Sequence, residues 1–99
     1  MIENNFEEYN TKYKQSIRLG IMSILVVNDA ADFNMLKELL GVTDGNLASH
    51  TKALELQNYI FIEKKFIGKK TNTTYKLTNE GKIAFKNHID ALEKLIKQN

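Results

Sequence analysis

The stretch from Phe33 to Gly81 constrains the fold most, because its punctuation leaves few choices. It reads FNMLKELLG, then VTDGNLASHTKALELQ, then NYIFIEKKFIGKKTNTTYKL, then TNEG. Gly41 supplies the left-handed residue that ends a short helix, and Thr43 can cap the next by accepting the backbone N–H of Gly45 or Asn46. Leu47, Thr51 and Leu54 recur at helical spacing and must face a core. Asn58 follows the last turn and tolerates the same left-handed conformation. Ile60 and Ile62 then alternate with Tyr59 and Phe61, and Thr73, Tyr75 and Leu77 alternate back. Between them Ile67–Asn72 carries turn chemistry, and Thr78 can cap a final helix. Two short helices around a tight turn, a hairpin and a capped helix are expected in that order.

The flanks supply the remaining core. Ile2, Phe6, Tyr9 and Tyr13 step by four, three and four, one face of an amphipathic helix. Ser16 offers a cap for a fresh helix with Ile17, Leu19, Ile21, Met22, Ile24 and Leu25 buried, while the stripe also runs on without a break; both arrangements stand. Asn28-Asp29 marks a stop, and Ala31–Phe33 has room for a stub strand only. Asn34 is the expected cap of the first short helix, with Leu36, Leu39 and Leu40 inward.

The expected fold is mainly α with a small β-hairpin: a winged helix-turn-helix with a three-helix core, a wing and a C-terminal dimerisation helix. Its parts are an N-terminal helical extension at 1–15, the helix-turn-helix at 34–57, the wing at 59–77 and the last helix at 79–98 of one domain, 1–99. The chain has no cysteine and no Pro, so thiolate metal sites and disulfides are excluded. The acidic, polar start is wrong for a signal peptide, and no apolar run reaches the roughly 18 residues a spanning helix needs. A cytoplasmic protein is expected.

Net charge is only +2, but it is unevenly spread. Residues 49–77 hold six Lys against Glu55 and Glu63, whereas residues 16–48 hold Arg18 and Lys37 against Asp29, Asp32, Glu38 and Asp44. The basic excess therefore falls on the second short helix and the hairpin, where a phosphate backbone would be met. A solvated Lys-rich strand pair satisfies the same charge pattern.

The residues from Ile17 to Leu92 resemble the small winged-helix regulators of the MarR/ArsR type. The likeness is carried by Asp32-Phe33, Leu36-Lys37, Leu39-Leu40-Gly41, Thr43-Asp44-Gly45-Asn46-Leu47, His50, Lys52, Leu54-Glu55, Tyr59-Ile60, Thr73, Tyr75, Leu77-Thr78 and Gly81. The sequence departs from the pattern at Thr51, where Leu is usual, at Gln57-Asn58 in place of Ala-Gly, and at Lys69 and Lys70, where Arg is common. The resemblance implies binding of double-stranded DNA by a homodimer, with the second helix in the major groove. Asn46, Ser49 and His50 then face base edges, and Asn46 can pair bidentately with adenine. Gly45 permits close approach, Thr43 and Lys52 meet phosphate, and Lys69, Lys70 and Thr71 of the wing meet the flanking backbone. Asp44 would repel phosphate and instead suits the helix N-terminus.

Arg18 is the sole arginine against thirteen lysines. It can reach phosphate or pair with an acidic neighbour. With no arginine on the reading helix, modest discrimination or a preference for A·T pairs is expected. The dimer interface is expected at Phe6, Tyr9, Tyr13, Phe85, Ile89, Leu92, Leu95 and Ile96. His88, Asp90 and Glu93 do not share a helix face well enough for a metal, so none is expected, nor a cofactor. No nucleophile motif or phosphate loop points to an enzyme. The rival class is a winged helix that docks a protein partner; such a module usually loses its basic wing. No effector ligand is named by any residue.

Overall fold

The computed structural model describes residues 2–98, with side chains described from residue 12 onward. Helix α1 spans Ile2–Asn28 without interruption, which settles the open boundary at Ser16 in favour of one helix. No Pro breaks it, and its stripe of Ile17, Ile21, Met22 and Leu25 is buried. Asp29, at φ 61°, ends it in the left-handed region.

Strand β1 (Ala31–Asp32) leads directly into α2 (Phe33–Leu40). The cap of α2 is Asp32, whose carboxylate accepts from the Met35 N–H at 2.8 Å; Asn34, the expected cap, lies within the helix. Leu36 is fully buried and Leu40 packs against the core, but Leu39 is 61% exposed and is not an inward residue. In an eight-residue helix, Phe33, Leu36 and Leu40 span one arc of about 60°. Leu39 lies on the far side of Leu36, outside the face the core can cover.

Helix α3 (Asp44–Leu56), strands β2 (Ile60–Ile67) and β3 (Lys70–Leu77) and helix α4 (Asn79–Lys97) complete the chain. The antiparallel sheet has the order β1-β3-β2, with Ala31 opposite Tyr75 and Ile60 opposite Leu77. The stub at Ala31–Asp32 thus becomes a third strand, because Ala31 fits a buried place beside Tyr75. Ile21, Leu25, Leu36, Leu47, Leu54 and Ile60 are the largest fully buried side chains. Each contributes about 1.5–3 kcal/mol by leaving water. Among the described residues no helix is long and apolar enough to cross a membrane.

The start of α4 is pinned to the sheet through Tyr59. The Thr78 N–H donates to the Tyr59 carbonyl at 3.0 Å, and the Thr78 hydroxyl donates to the Asn58 carbonyl at 2.6 Å. That hydroxyl also accepts from the Gly81 N–H at 2.9 Å, the expected cap. Gly81 sits so close that a Cβ there would lie 2.1 Å from the Tyr59 carbonyl oxygen. Beyond this anchor α4 leaves the core, and only Ala84 and Phe85 are half-buried along its length.

Candidate nucleic-acid interface

The turn between α2 and α3 is built by three consecutive residues. Gly41 adopts φ 65° and donates its N–H to the Lys37 carbonyl at 2.9 Å. Val42 is buried, and Thr43 returns the chain to an extended conformation from which its hydroxyl accepts the Asn46 N–H at 3.2 Å. Lys37 spans the turn to Asp44 at 2.7 Å. The pair is exposed and adds little stability, but it holds a carboxylate at the positive end of α3.

The inward stripe of α3 is Leu47, His50, Thr51 and Leu54. The Thr51 hydroxyl donates to the Ala48 carbonyl at 3.1 Å, so the place usually held by Leu takes a polar residue without an unsatisfied group. His50 was expected on the outward face and is not there: it is 6% exposed. Helix α3 packs against both α1 and β2, which widens its buried stripe to positions i, i+3, i+4 and i+7 and takes His50 inside. Arg18 Nε donates to His50 Nδ1 at 3.2 Å, so that nitrogen is an acceptor and the ring proton resides on Nε2. Burial, followed by the charges of Arg18 and Lys14, pushes the His50 pKa below its ordinary 6.5. His50 therefore fastens α3 to α1 rather than reading a base. Arg18, expected at phosphate or an acidic side chain, serves this contact.

Asn46, Ser49 and Lys52 remain on the opposite, exposed face of α3. Gly45 is exposed as well, with no atom within 4 Å of where its Cβ would be. Their side chains make no hydrogen bond or ion pair with any described residue.

The wing lies within its expected span, 59–77, but its strands run farther toward the tip than its sequence implied. Residues 67–72, expected as a loop, are mostly strand: Ile67 pairs with Lys70, leaving Gly68 and Lys69 as a two-residue turn. Gly68 takes φ 64°, the positive value such a hairpin needs at its first central residue. Lys69, Lys70 and Thr71 are all exposed at this tip. Farther down, Glu63 receives Lys65 and Lys76, each at 3.0 Å, and hydrogen bonds from Lys76 and then Lys65 hold its carboxyl below the usual range. Lys64, Lys69 and Lys70 form no ion pair with a described residue. Two side chains were missed as features of this surface: Phe66, 80% exposed, and Ile67, 66% exposed. Their signal was available, since both stand beside the turn glycine among lysines.

The helix-turn-helix, the hairpin that follows it and the anchored last helix are matched as a unit by the winged helix DNA-binding domain profile, over residues 17–96. The chain belongs to this family. An uncharacterised protein of Methanocaldococcus jannaschii, MJ0432, is 38% identical over 85 residues, which cover 86% of this chain and 92% of its own. A transcriptional regulator homologue from Pyrococcus horikoshii superposes with a TM-score of 0.74 at 30% identity, over 93% of this chain and 96% of its own. Bacillus subtilis PadR, solved in complex with operator DNA, shares the fold with a TM-score of 0.65 at 14% identity, over 75% of this chain and 46% of its own.

In this winged helix domain, the outer face of α4 is the other notable surface. Ile89, Leu92, Leu95 and Ile96 are 41–67% exposed, and Tyr13 of α1 is 45% exposed. Phe85, grouped with them from the sequence, is half-buried and packs on the monomer's own core. The side chains of Phe6 and Tyr9 lie outside the described residues. Two grooves flank α4. One, of about 910 Å³, is bounded by Leu25, Phe61, Ile89, Lys82 and Lys86; the other, of about 780 Å³, runs past Arg18, Leu54, Phe85 and His88.

Proposed function

We propose that this chain is a sequence-selective regulator of transcription that binds double-stranded DNA as a cytoplasmic homodimer, and that it acts as a repressor. It is read as a small regulator akin to the MarR/ArsR type and, by structural likeness, to PadR. The carrying observation is the pairing of an exposed Asn46, Ser49 and Lys52 on α3 with uncommitted lysines on the wing that follows it. Helix α3 enters the major groove, where Asn46 reads adenine and Ser49 a neighbouring edge, with Gly45 allowing close approach. Thr43 and Lys52 meet phosphates at the helix, and Lys69, Lys70 and Thr71 meet the backbone or minor groove alongside. That PadR, of the same fold, was solved with operator DNA supports duplex DNA as the partner, and the Pyrococcus protein supports a role in transcription.

One domain offers one helix and one wing, and a two-fold dimer doubles both. The apolar face of α4 supplies the surface for it. Occupation of the site by such a dimer blocks access to that DNA, which suffices for repression.

The test is binding to random and AT-rich duplexes across a salt series. Asn46→Ala is expected to lose base preference while its salt dependence stays. Lys69→Ala/Lys70→Ala is expected to weaken binding to all sequences and to flatten the slope of log affinity against log salt by about 0.9 per lost phosphate contact. Absence of binding to any duplex at low salt refutes the proposal and favours a protein-docking module.

A further inference from the structure

The wing carries apolar bulk where a solvated hairpin tip has no use for it. Along β2, Ile60, Ile62, Lys64 and Phe66 share one face, opposite Leu77, Tyr75, Thr73 and Thr71 of β3. Exposure rises as this face leaves the core, from 1% at Ile60 to 38% at Ile62. Polar residues then take over, until Phe66 appears at 80%. Its cross-strand neighbour, Thr71, is too small to cover a phenyl ring. Lys64 shares its face and Lys69 and Lys70 stand at the same tip, and none of the three forms an ion pair with a described residue, since the nearby acid, Glu63, is engaged by Lys65 and Lys76. An apolar ring set in uncompensated positive charge is complementary to a polyanion with an apolar interior.

We propose that Phe66 is a wedge that enters the minor groove beside the major groove held by α3, unstacks a base step and bends the duplex. This rests on the DNA-binding reading above and adds a deformation to it. Only residues 57–59 separate α3 from β2, so a duplex on α3 lies within the ribbon's reach. An eight-residue strand extends about 26 Å, enough to cross the intervening phosphates. The minor groove is about 6 Å wide, narrower than a two-stranded ribbon with its side chains, so a side chain enters rather than the hairpin. What Phe66 adds to the lysines is chemistry: an apolar ring can press against sugars and unstacked base faces, which an ammonium group does not do. Apolar wedges kink DNA most readily at the flexible TA and CA/TG steps. A preference for such a step is therefore expected at the position the wing faces, where no residue of α3 reads.

The experiment uses a duplex selected from a random pool by the native chain, with 2-aminopurine at the wing-facing step and a fluorophore pair at its ends. The native chain is expected to raise 2-aminopurine fluorescence and shorten the end-to-end distance. Phe66→Ala is expected to bind about tenfold more weakly with an unchanged salt slope and to abolish both signals. Phe66→Leu restores part of them, which separates a wedge from a lost fold. Equal affinity and bending by Phe66→Ala overturns the wedge and leaves the DNA-binding reading intact. Failure of the native chain to select any duplex removes both. Phe66-dependent binding to phosphatidylserine vesicles, with DNA binding indifferent to Phe66, overturns the proposal in favour of a membrane surface.

Discussion

Replacing Gly81 by Ala tests how α4 is attached, because two opposing effects can be weighed. Ala favours a helix over Gly by about 1 kcal/mol. At Gly81, however, the new Cβ would lie 2.1 Å from the Tyr59 carbonyl oxygen, and the obstacle is backbone that a rotamer change cannot move. Helix α4 must shift outward, at an overpacking cost of about 1–3 kcal/mol. The shift also strains the Thr78 N–H to Tyr59 carbonyl bond, a contribution of about 1 kcal/mol. The balance is a net destabilisation of about 2 kcal/mol. Gly45→Ala provides the internal control, since nothing stands within 4 Å of its Cβ and the same helix preference acts unopposed. Urea unfolding at one fixed protein concentration, since the proposed dimer would make midpoints concentration-dependent, should show a lower midpoint for Gly81→Ala and a higher one for Gly45→Ala, at similar slopes. If both substitutions stabilise the chain, the close approach of α4 to Tyr59 is not rigid and the reasoning fails.

Other expectations follow from the remaining contacts. His50 has its pKa lowered in the fold, so the unfolded chain takes up the proton first; stability is complete above about pH 6.5 and declines as pH falls toward the folded value. Urea midpoints across this window should drop more for the native chain than for His50→Gln, which keeps an acceptor for Arg18 but does not titrate. Thr43→Ala removes the acceptor for the Asn46 N–H and should cost about 1 kcal/mol in thermal or urea unfolding, with weaker DNA binding in parallel. Leu92→Glu/Ile96→Glu alters two exposed side chains and should leave the fold intact by circular dichroism while weakening the proposed dimer on the order of a hundredfold in sedimentation equilibrium.

Local chemistry was legible at most of the turns and caps, though not at Asn34, since Asp32 two residues earlier takes the cap of α2. Gly41, Thr43, Asn58 and Thr78 stand where their turn and cap preferences place them. The mainly α winged-helix architecture follows from their order. What escaped depends on how many neighbours a helix has. Leu47, Thr51 and Leu54 marked the inward face of α3, but its breadth is set by simultaneous packing on α1 and β2, and that breadth buries His50. The spacing held the clue, since His50 lies three residues after Leu47 and four before Leu54. Leu39 erred the other way: apolar residues outnumbered the places on the buried face of a two-turn helix. The strands near Gly68 escaped because ladder hydrogen bonds join backbones, so Lys and Thr pair there regardless of side-chain character. On the candidate interface, Asn46, Ser49 and Lys52 have the exposure expected of them, while His50 does not.

The division of labour around α3 bears on how such a protein changes over generations. Its buried side holds Leu47, His50, Thr51 and Leu54 in a fixed arrangement, whereas the side chains of Asn46, Ser49 and Lys52 project from the same two turns and bond to no described residue. Substitutions at those three positions leave the fold's stability almost untouched, within about 0.5 kcal/mol for ordinary surface changes. Under the proposed reading of DNA by these residues, the helix is a lock with exchangeable pins: duplicated copies of the gene would drift to new targets one residue at a time, without passing through an unfolded ancestor.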